Sequence, residues 1–130
     1  METLYSEKAP KALGPYAQAQ QVGNLIFCSG QTGINPETNR VEAATVEGQT
    51  RQVLENLEAV LEARGLTLQQ VVKCNVYLST MDNFEKMNKV YGDMFAPHTP
   101  ARTTVAVAGL PLDALVEIEC VAEVLEEPRA

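Results

Sequence analysis

The chain has 130 residues, enough for one domain with a real core, and its 45% apolar and 21% charged residues are ordinary for a soluble globular protein. A formal charge of −7, with ten dispersed basic residues, argues against a nucleic-acid partner, because phosphate contacts need clustered Lys and Arg. No apolar run reaches membrane-spanning length, and Met1-Glu2-Thr3-Leu4-Tyr5 lacks the basic and apolar regions of a signal peptide, so no membrane partner is expected and the cytoplasm is the expected address.

In chain order, residues 16–21 and 25–29 read as two short strands joined around Gly23-Asn24, a hairpin signal. A turn-rich segment, Gly33 to Asn39, follows. From Thr45 to Arg64 the pattern is helical, with Val46, Val53, Leu57, Val60 and Leu61 on one face. Thr45 is the expected N-cap, Glu47 suits the positive helix end, and Gly65 is the expected stop. Val71 to Leu78 reads as a strand from its β-branched content. Asp82 with Glu85 reads as a capping box opening a second helix, whose apolar stripe is Phe84, Met87, Val90 or Tyr91, and Met94 or Phe95, and which Pro97 ends. Thr103 to Ala108 and Leu115 to Val124 supply the last strands.

A strand between two amphipathic helices predicts a βαβ crossover, with both helices on one face of a mixed sheet. The expectation is therefore a single α+β domain over residues 1–130, with no repeat, linker or internal boundary. In the last strand Val116, Ile118, Cys120 and Ala122 point one way, and Glu117, Glu119, Val121 and Glu123 the other. The second set mixes carboxylates with Val121, which suits partial burial against another subunit, and pockets often form at such seams.

Cys28, Cys74 and Cys120 are odd in number, widely spaced and set in apolar stretches, and they read as buried free thiols. With a single histidine, His98, and no clustered ligand spacing, neither a metal site nor a Ser-His-Asp triad is expected. Gly30-Gln31-Thr32-Gly33 lacks the lysine and spacing of a phosphate loop.

Arg102 and the carboxylates of the last strand carry the most chemistry. A guanidinium grips a small carboxylate in a bidentate fork, and a nearby carboxylate can act on water as general base or acid. Without further information Arg102 reads as a structural partner of Glu117 or of a surface carboxylate, and Glu119 as a solvated strand residue. Tyr16 is either core or a pocket wall with a polar tip. Gly30 either lets a ligand approach the backbone after Ser29 or marks a plain turn. Asn88 is either helix surface or site lining.

Several words of the sequence stand in the same order as in one known family. They are Ala9-Pro10, Gly14-Pro15-Tyr16-Ala17-Gln18-Ala19, Ser29-Gly30-Gln31, the run from Gln49 to Leu57, Met87-Asn88-Lys89-Val90-Tyr91, Pro100-Ala101-Arg102-Thr103-Thr104-Val105 and Val116-Glu117-Ile118-Glu119. From about Ser6 to Val124 the chain resembles the RidA/YjgF family of reactive-intermediate deaminases, which hydrolyse imines of 2-oxo acids.

The resemblance implies a chorismate-mutase-like fold, a homotrimer with active sites between subunits, and no cofactor or metal. It implies a 2-imino acid substrate such as 2-iminobutanoate or 2-iminopropanoate, with a 2-oxo acid as product. Arg102 would clamp the substrate carboxylate and Glu119 would activate or orient water. Tyr16, Ser29, Gly30, Asn88 and Thr104 would shape the site, and Glu117 is read as structural. Two departures stand out: Thr104 where many deaminating members carry cysteine, and Gly109 where many carry arginine. The alternative within the same family is a non-catalytic module that binds a small carboxylate such as a 2-oxo acid.

Overall fold

Alternation along the last strand decides how the molecule is layered. A computed structural model describes residues 1–125. In it Val116, Ile118, Cys120 and Ala122 are at most 3% exposed, whereas Glu117, Glu119 and Val121 on the other face are only partly covered. The strands are β1 (Glu2–Leu4), β2 (Ala19–Val22), β3 (Leu25–Gln31), β4 (Ile34–Asn35), β5 (Arg40–Val41), β6 (Val71–Leu78), β7 (Ala101–Ala106) and β8 (Val116–Glu123). The helices are α1 (Val46–Glu62), after β5, and α2 (Phe84–Phe95), between β6 and β7.

Six strands form one sheet in the order β1-β2-β3-β8-β6-β7, and β4 and β5 make a separate small hairpin. All pairings in the large sheet are antiparallel except β6 with β7. Parallel neighbours need a crossover, and α2 supplies it. Since β3 and β6 both run antiparallel to β8, they are parallel to each other, and α1 links them past β8. Both helices pack on the same side of this mixed α+β sheet, as expected. The core lies between, built from Ile26, Val53, Leu54, Leu57, Val60, Leu61, Val76, Leu78, Met87, Phe95 and Ile118. Among the described residues no helix is long and apolar enough to cross a membrane.

The first helix follows its sequence signals closely. Thr45 accepts a hydrogen bond from the Gly48 amide at 3.1 Å, and the five expected apolar residues are all buried. After the helix, Gly65 takes φ +75° and the Leu66 amide donates back to the Leu61 carbonyl, which closes the last turn.

Other boundaries differ. The expected Asp82–Glu85 capping box is not formed. Thr80 instead accepts from the Asp82 amide at 3.2 Å and caps a single 3-10 turn, Met81–Asn83, from which α2 starts at Phe84 with no side-chain cap. The turn-rich segment holds the β4–β5 hairpin, its bend closed by the Asn39 amide donating to the Asn35 carbonyl and by Asn39 at φ 59°. Edge strand β1 was not expected, because Glu2-Thr3-Leu4 is too short for any periodicity to show. Pairing with β6 begins the seventh strand at Ala101 rather than Thr103, so Arg102 lies within the edge strand β7. Cys28, Cys74 and Cys120 are free and buried, as expected.

Candidate functional site

The parity of the strands sorts the candidate residues into two groups. In register, Arg102 of β7 lies across from Cys74 of β6, which lies across from Cys120 of β8. Cys74 and Cys120 are buried under the helices, so Arg102 rises on that same side. Glu119 is opposite Asn75, which is opposite Thr103, and these residues point to the open face. The guanidinium of Arg102 and the carboxylate of Glu119 therefore belong to opposite faces of one sheet. A chain on its own does not bring them together.

Arg102 sits at the sheet edge against α2. Its guanidinium carbon is 4.8 Å from the ring centroid of Tyr91 and 5.6 Å from that of Phe84, a cation–π seat that fixes the fork. With Asn88, Tyr91, Phe95 and the segment Ala96–Pro100, it lines a groove of about 410 Å³. The alternative of a structural pair with Glu117 is ruled out by the same geometry, since Glu117 is on the open face.

Polar atoms near this groove lack partners. Asn88 Oδ1, the Tyr91 hydroxyl and Thr104 Oγ1 are buried without a hydrogen bond of normal geometry. Such atoms are costly unless something completes them. Thr104 shares Arg102's side of β7 two residues on, and Asn88 lines the groove itself. Burial pushes the Tyr91 hydroxyl well above its ordinary value, and the neighbouring Cys74 thiol adds to the rise. Burial likewise raises Cys74 to about 11, with the Tyr91 hydroxyl and Arg102 opposing. These thiols are inert fillers, not nucleophiles.

On the open face, Glu119 is held by its neighbours across β6. Its Oε1 accepts from the Tyr77 hydroxyl at 2.5 Å and from Asn75 Nδ2 at 3.1 Å. The bond to Glu119, which uses the phenolic proton, raises Tyr77 above its ordinary value. A recess of about 220 Å³ opens beside Glu119, lined by Phe27, Lys73, Asn75 and Val121 among others.

Tyr16 and Gly30 gather around the other carboxylate. Together with Lys11, Gln18, Thr32 and Glu117 they line a recess of about 150 Å³. Tyr16 is 49% exposed, so it is a pocket wall and not core. Ser29 does not line the recess but fixes its wall: its hydroxyl donates to the Ala17 carbonyl at 2.7 Å and its amide to the Gln18 carbonyl at 2.9 Å. The β3–β8 register shifts between Cys28 and Gln31, and that irregularity brings Gly30 under Glu117. A Cβ on Gly30 would lie 3.0 Å from Glu117 Cδ. Glu117, read from sequence as structural, is thus the carboxylate beside Tyr16 and Gly30. The signal for it was present in the alternation of β8, but the shifted register that selects it over Glu119 has no signature in composition or periodicity.

His98 shares the Arg102 groove and its Nε2 is 2.6 Å from the Val71 carbonyl, so it donates there and is tied to the backbone. Among the described residues no group of His, Cys, Asp and Glu is arranged to hold a metal ion.

Comparison with known proteins finds relatives over most of the chain. A family model described as endoribonuclease L-PSP matches residues 6–124. A RutC family protein of Pyrococcus horikoshii is 48% identical over 121 residues, covering 93% of this chain and 96% of the relative. Reactive Intermediate Deaminase A, chloroplastic, of Arabidopsis thaliana is 46% identical over 121 residues, covering 93% of this chain and 65% of that protein. Among solved structures, E. coli TdcF with bound serine superposes with a TM-score of 0.90 at 36% identity, covering 95% of this chain and 98% of that one.

Proposed function

The chain belongs to the RidA/YjgF family, and from that premise we propose that it hydrolyses reactive 2-imino acids, such as 2-iminobutanoate and 2-iminopropanoate, to 2-oxo acids and ammonia. The observation that carries this reading is Arg102, a guanidinium seated on Tyr91 and lining a groove beside an unpartnered Asn88 oxygen. That is a seat for a small carboxylate. The deaminase-named plant relative and the serine-bound TdcF structure support the same ligand class.

The site is completed by a second copy of the chain. Arg102 of one copy meets the open face of another, which brings Glu119, in a homotrimer of the chorismate-mutase-like kind. Arg102 clamps the substrate carboxylate and so positions the imine carbon. Glu119 takes a proton from water as the water oxygen bonds to that carbon, and the C=N electron pair moves to nitrogen. The nitrogen takes one proton from solvent and the second back from Glu119, the carbon–nitrogen bond breaks, and ammonia leaves as the new hydroxyl releases its proton to solvent and C=O forms. Thr104 replaces a cysteine without loss of the step, because no covalent nucleophile is used. The net charge of −7 disfavours the RNA cleavage that the family description names.

The test couples a pyridoxal-phosphate enzyme that releases 2-aminoacrylate to the purified protein and follows loss of the imine. Wild type accelerates that loss and Arg102→Ala abolishes the acceleration. No acceleration over buffer by correctly assembled wild type overturns the reading.

A second reading, a carboxylate-binding module without chemistry, is favoured by one observation: a single chain holds the Arg102 seat without Glu119 on its side. Under that reading wild type and Glu119→Gln bind pyruvate alike and neither deaminates.

A further inference from the structure

The groove that holds Arg102 is larger than a three-carbon acid requires. We propose that it favours 2-imino acids with a larger apolar side chain, such as the imine of leucine, and that Gly92 sets this preference. The proposal rests on the reading of Arg102 as the seat of a substrate carboxylate.

Volume is the first observation. The groove encloses about 410 Å³, within the range of roughly 300–1,000 Å³ seen for pockets that bury much larger ligands. At a water's share of about 30 Å³ for each non-hydrogen atom, 2-iminopropanoate takes roughly 180 Å³, less than half of that space. Tyr91, only 7% exposed, lines the groove with a buried hydroxyl that has no partner of normal geometry, a second sign that a ligand belongs there.

The helix orders the groove along its length. Phe84, Asn88 and Tyr91 share a face at i, i+4 and i+7, and the Arg102 guanidinium rests on the two rings, so the carboxylate seat lies over the first turns of α2. Toward the C-terminal end the lining becomes Gly92, Phe95, Ala96 and Pro97. His98 there has its Nε2 committed to the Val71 carbonyl. A ligand held by its carboxylate at Arg102 therefore extends its other end over apolar surface.

Gly92 is what leaves that end open. It stands inside α2, where glycine is the poorest helix former after proline. A Cβ on it would meet nothing within 4 Å, so no contact within the chain calls for a glycine. The missing side chain leaves groove one turn beyond Asn88 on the same face, about 5.4 Å along the axis. A leucine-sized side chain spans that distance, and laying it against Phe95 and Pro97 takes apolar surface out of water.

The test measures binding of two 2-oxo acids, pyruvate and 4-methyl-2-oxopentanoate, by calorimetry. Wild type, Gly92→Leu and Gly92→Gln are compared, with the size of the assembly checked for each. Both substitutions put a better helix former at an exposed position, so neither impairs folding. Wild type binds the larger acid at least about tenfold more tightly. Each filled variant keeps its affinity for pyruvate within about twofold and loses the preference for the larger acid. Should Gly92→Leu fail to assemble, Gly92→Gln decides. Equal affinities in wild type, as when a second copy of the chain covers the far end of the groove, overturn the proposal. So does a filled variant that keeps the preference or weakens both acids alike. Imines made by an amino-acid oxidase from alanine and leucine are then supplied to wild type. Acceleration of neither, with the affinity order intact, overturns the deaminase reading and leaves this proposal standing.

Discussion

Adding one methyl group at Gly30 separates stability from activity in a way that a plain turn would not. In Gly30→Ala the new Cβ meets Glu117 at 3.0 Å from Cδ, 3.1 Å from Cγ and 3.1 Å from Oε2. Ordinary contacts start near 3.4 Å, so the end of the side chain has to swing aside by several tenths of an ångström. The neighbour is a flexible carboxylate and not backbone, and pushing it off its rotamer costs about 0.5–1.5 kcal/mol. Replacing glycine stiffens the unfolded chain and returns about 0.4–1 kcal/mol. The two nearly cancel, so the urea midpoint moves by less than about 1 kcal/mol of stability. The rate does not cancel, because Glu117 walls the recess beside Tyr16 and a displaced wall of the site costs up to about a hundredfold. Imine loss and urea unfolding are measured on Gly30→Ala alone and in the Glu117→Gln background. In that background the added methyl costs little further rate, as expected for coupled residues. An unchanged rate in Gly30→Ala, or equal losses in both backgrounds, refutes the reasoning.

Gly33→Ala behaves oppositely. Its Cβ would meet Gln49 Cα and Cβ at 3.1 Å and the Gln49 carbonyl oxygen at 3.2 Å, all on α1, so stability falls by about 1–3 kcal/mol in urea unfolding. Arg102→Lys keeps the charge but loses the fork and the seat on Tyr91; pyruvate affinity measured by calorimetry falls, and Arg102→Ala forfeits about 2–5 kcal/mol. Cys74 is raised from 9.0 to about 11 in the folded chain, so its contribution is complete below pH 9.0 and fades as pH climbs through about 11. Stability followed by urea midpoint therefore declines over that window, and the decline is shallower in Cys74→Ala.

What could be read from the sequence was local. Thr45, the apolar face of α1 and Gly65 each act within a few residues, and each was legible. The alternation in β8 likewise revealed a helix-facing side and a carboxylate side. Asp82 misled because Thr80 competes for the same amide and forms a 3-10 turn first. The separation of Arg102 from Glu119 depends on how β7 and β8 register on β6, a long-range property that no spacing within either strand records. The recess around Glu117 needs the register shift at Cys28–Gln31 and was hidden for the same reason.

The central claim is that one site takes Arg102 from one copy and Glu119 from another. The most direct measurement mixes Arg102→Ala with Glu119→Gln chains by co-expression and follows loss of the imine. Each variant alone is inactive. In mixed assemblies about a quarter of the sites regain both intact residues if neighbours pair head to tail at random. Recovered deamination on that scale is the predicted result. Mixed assemblies as inactive as either parent contradict the claim.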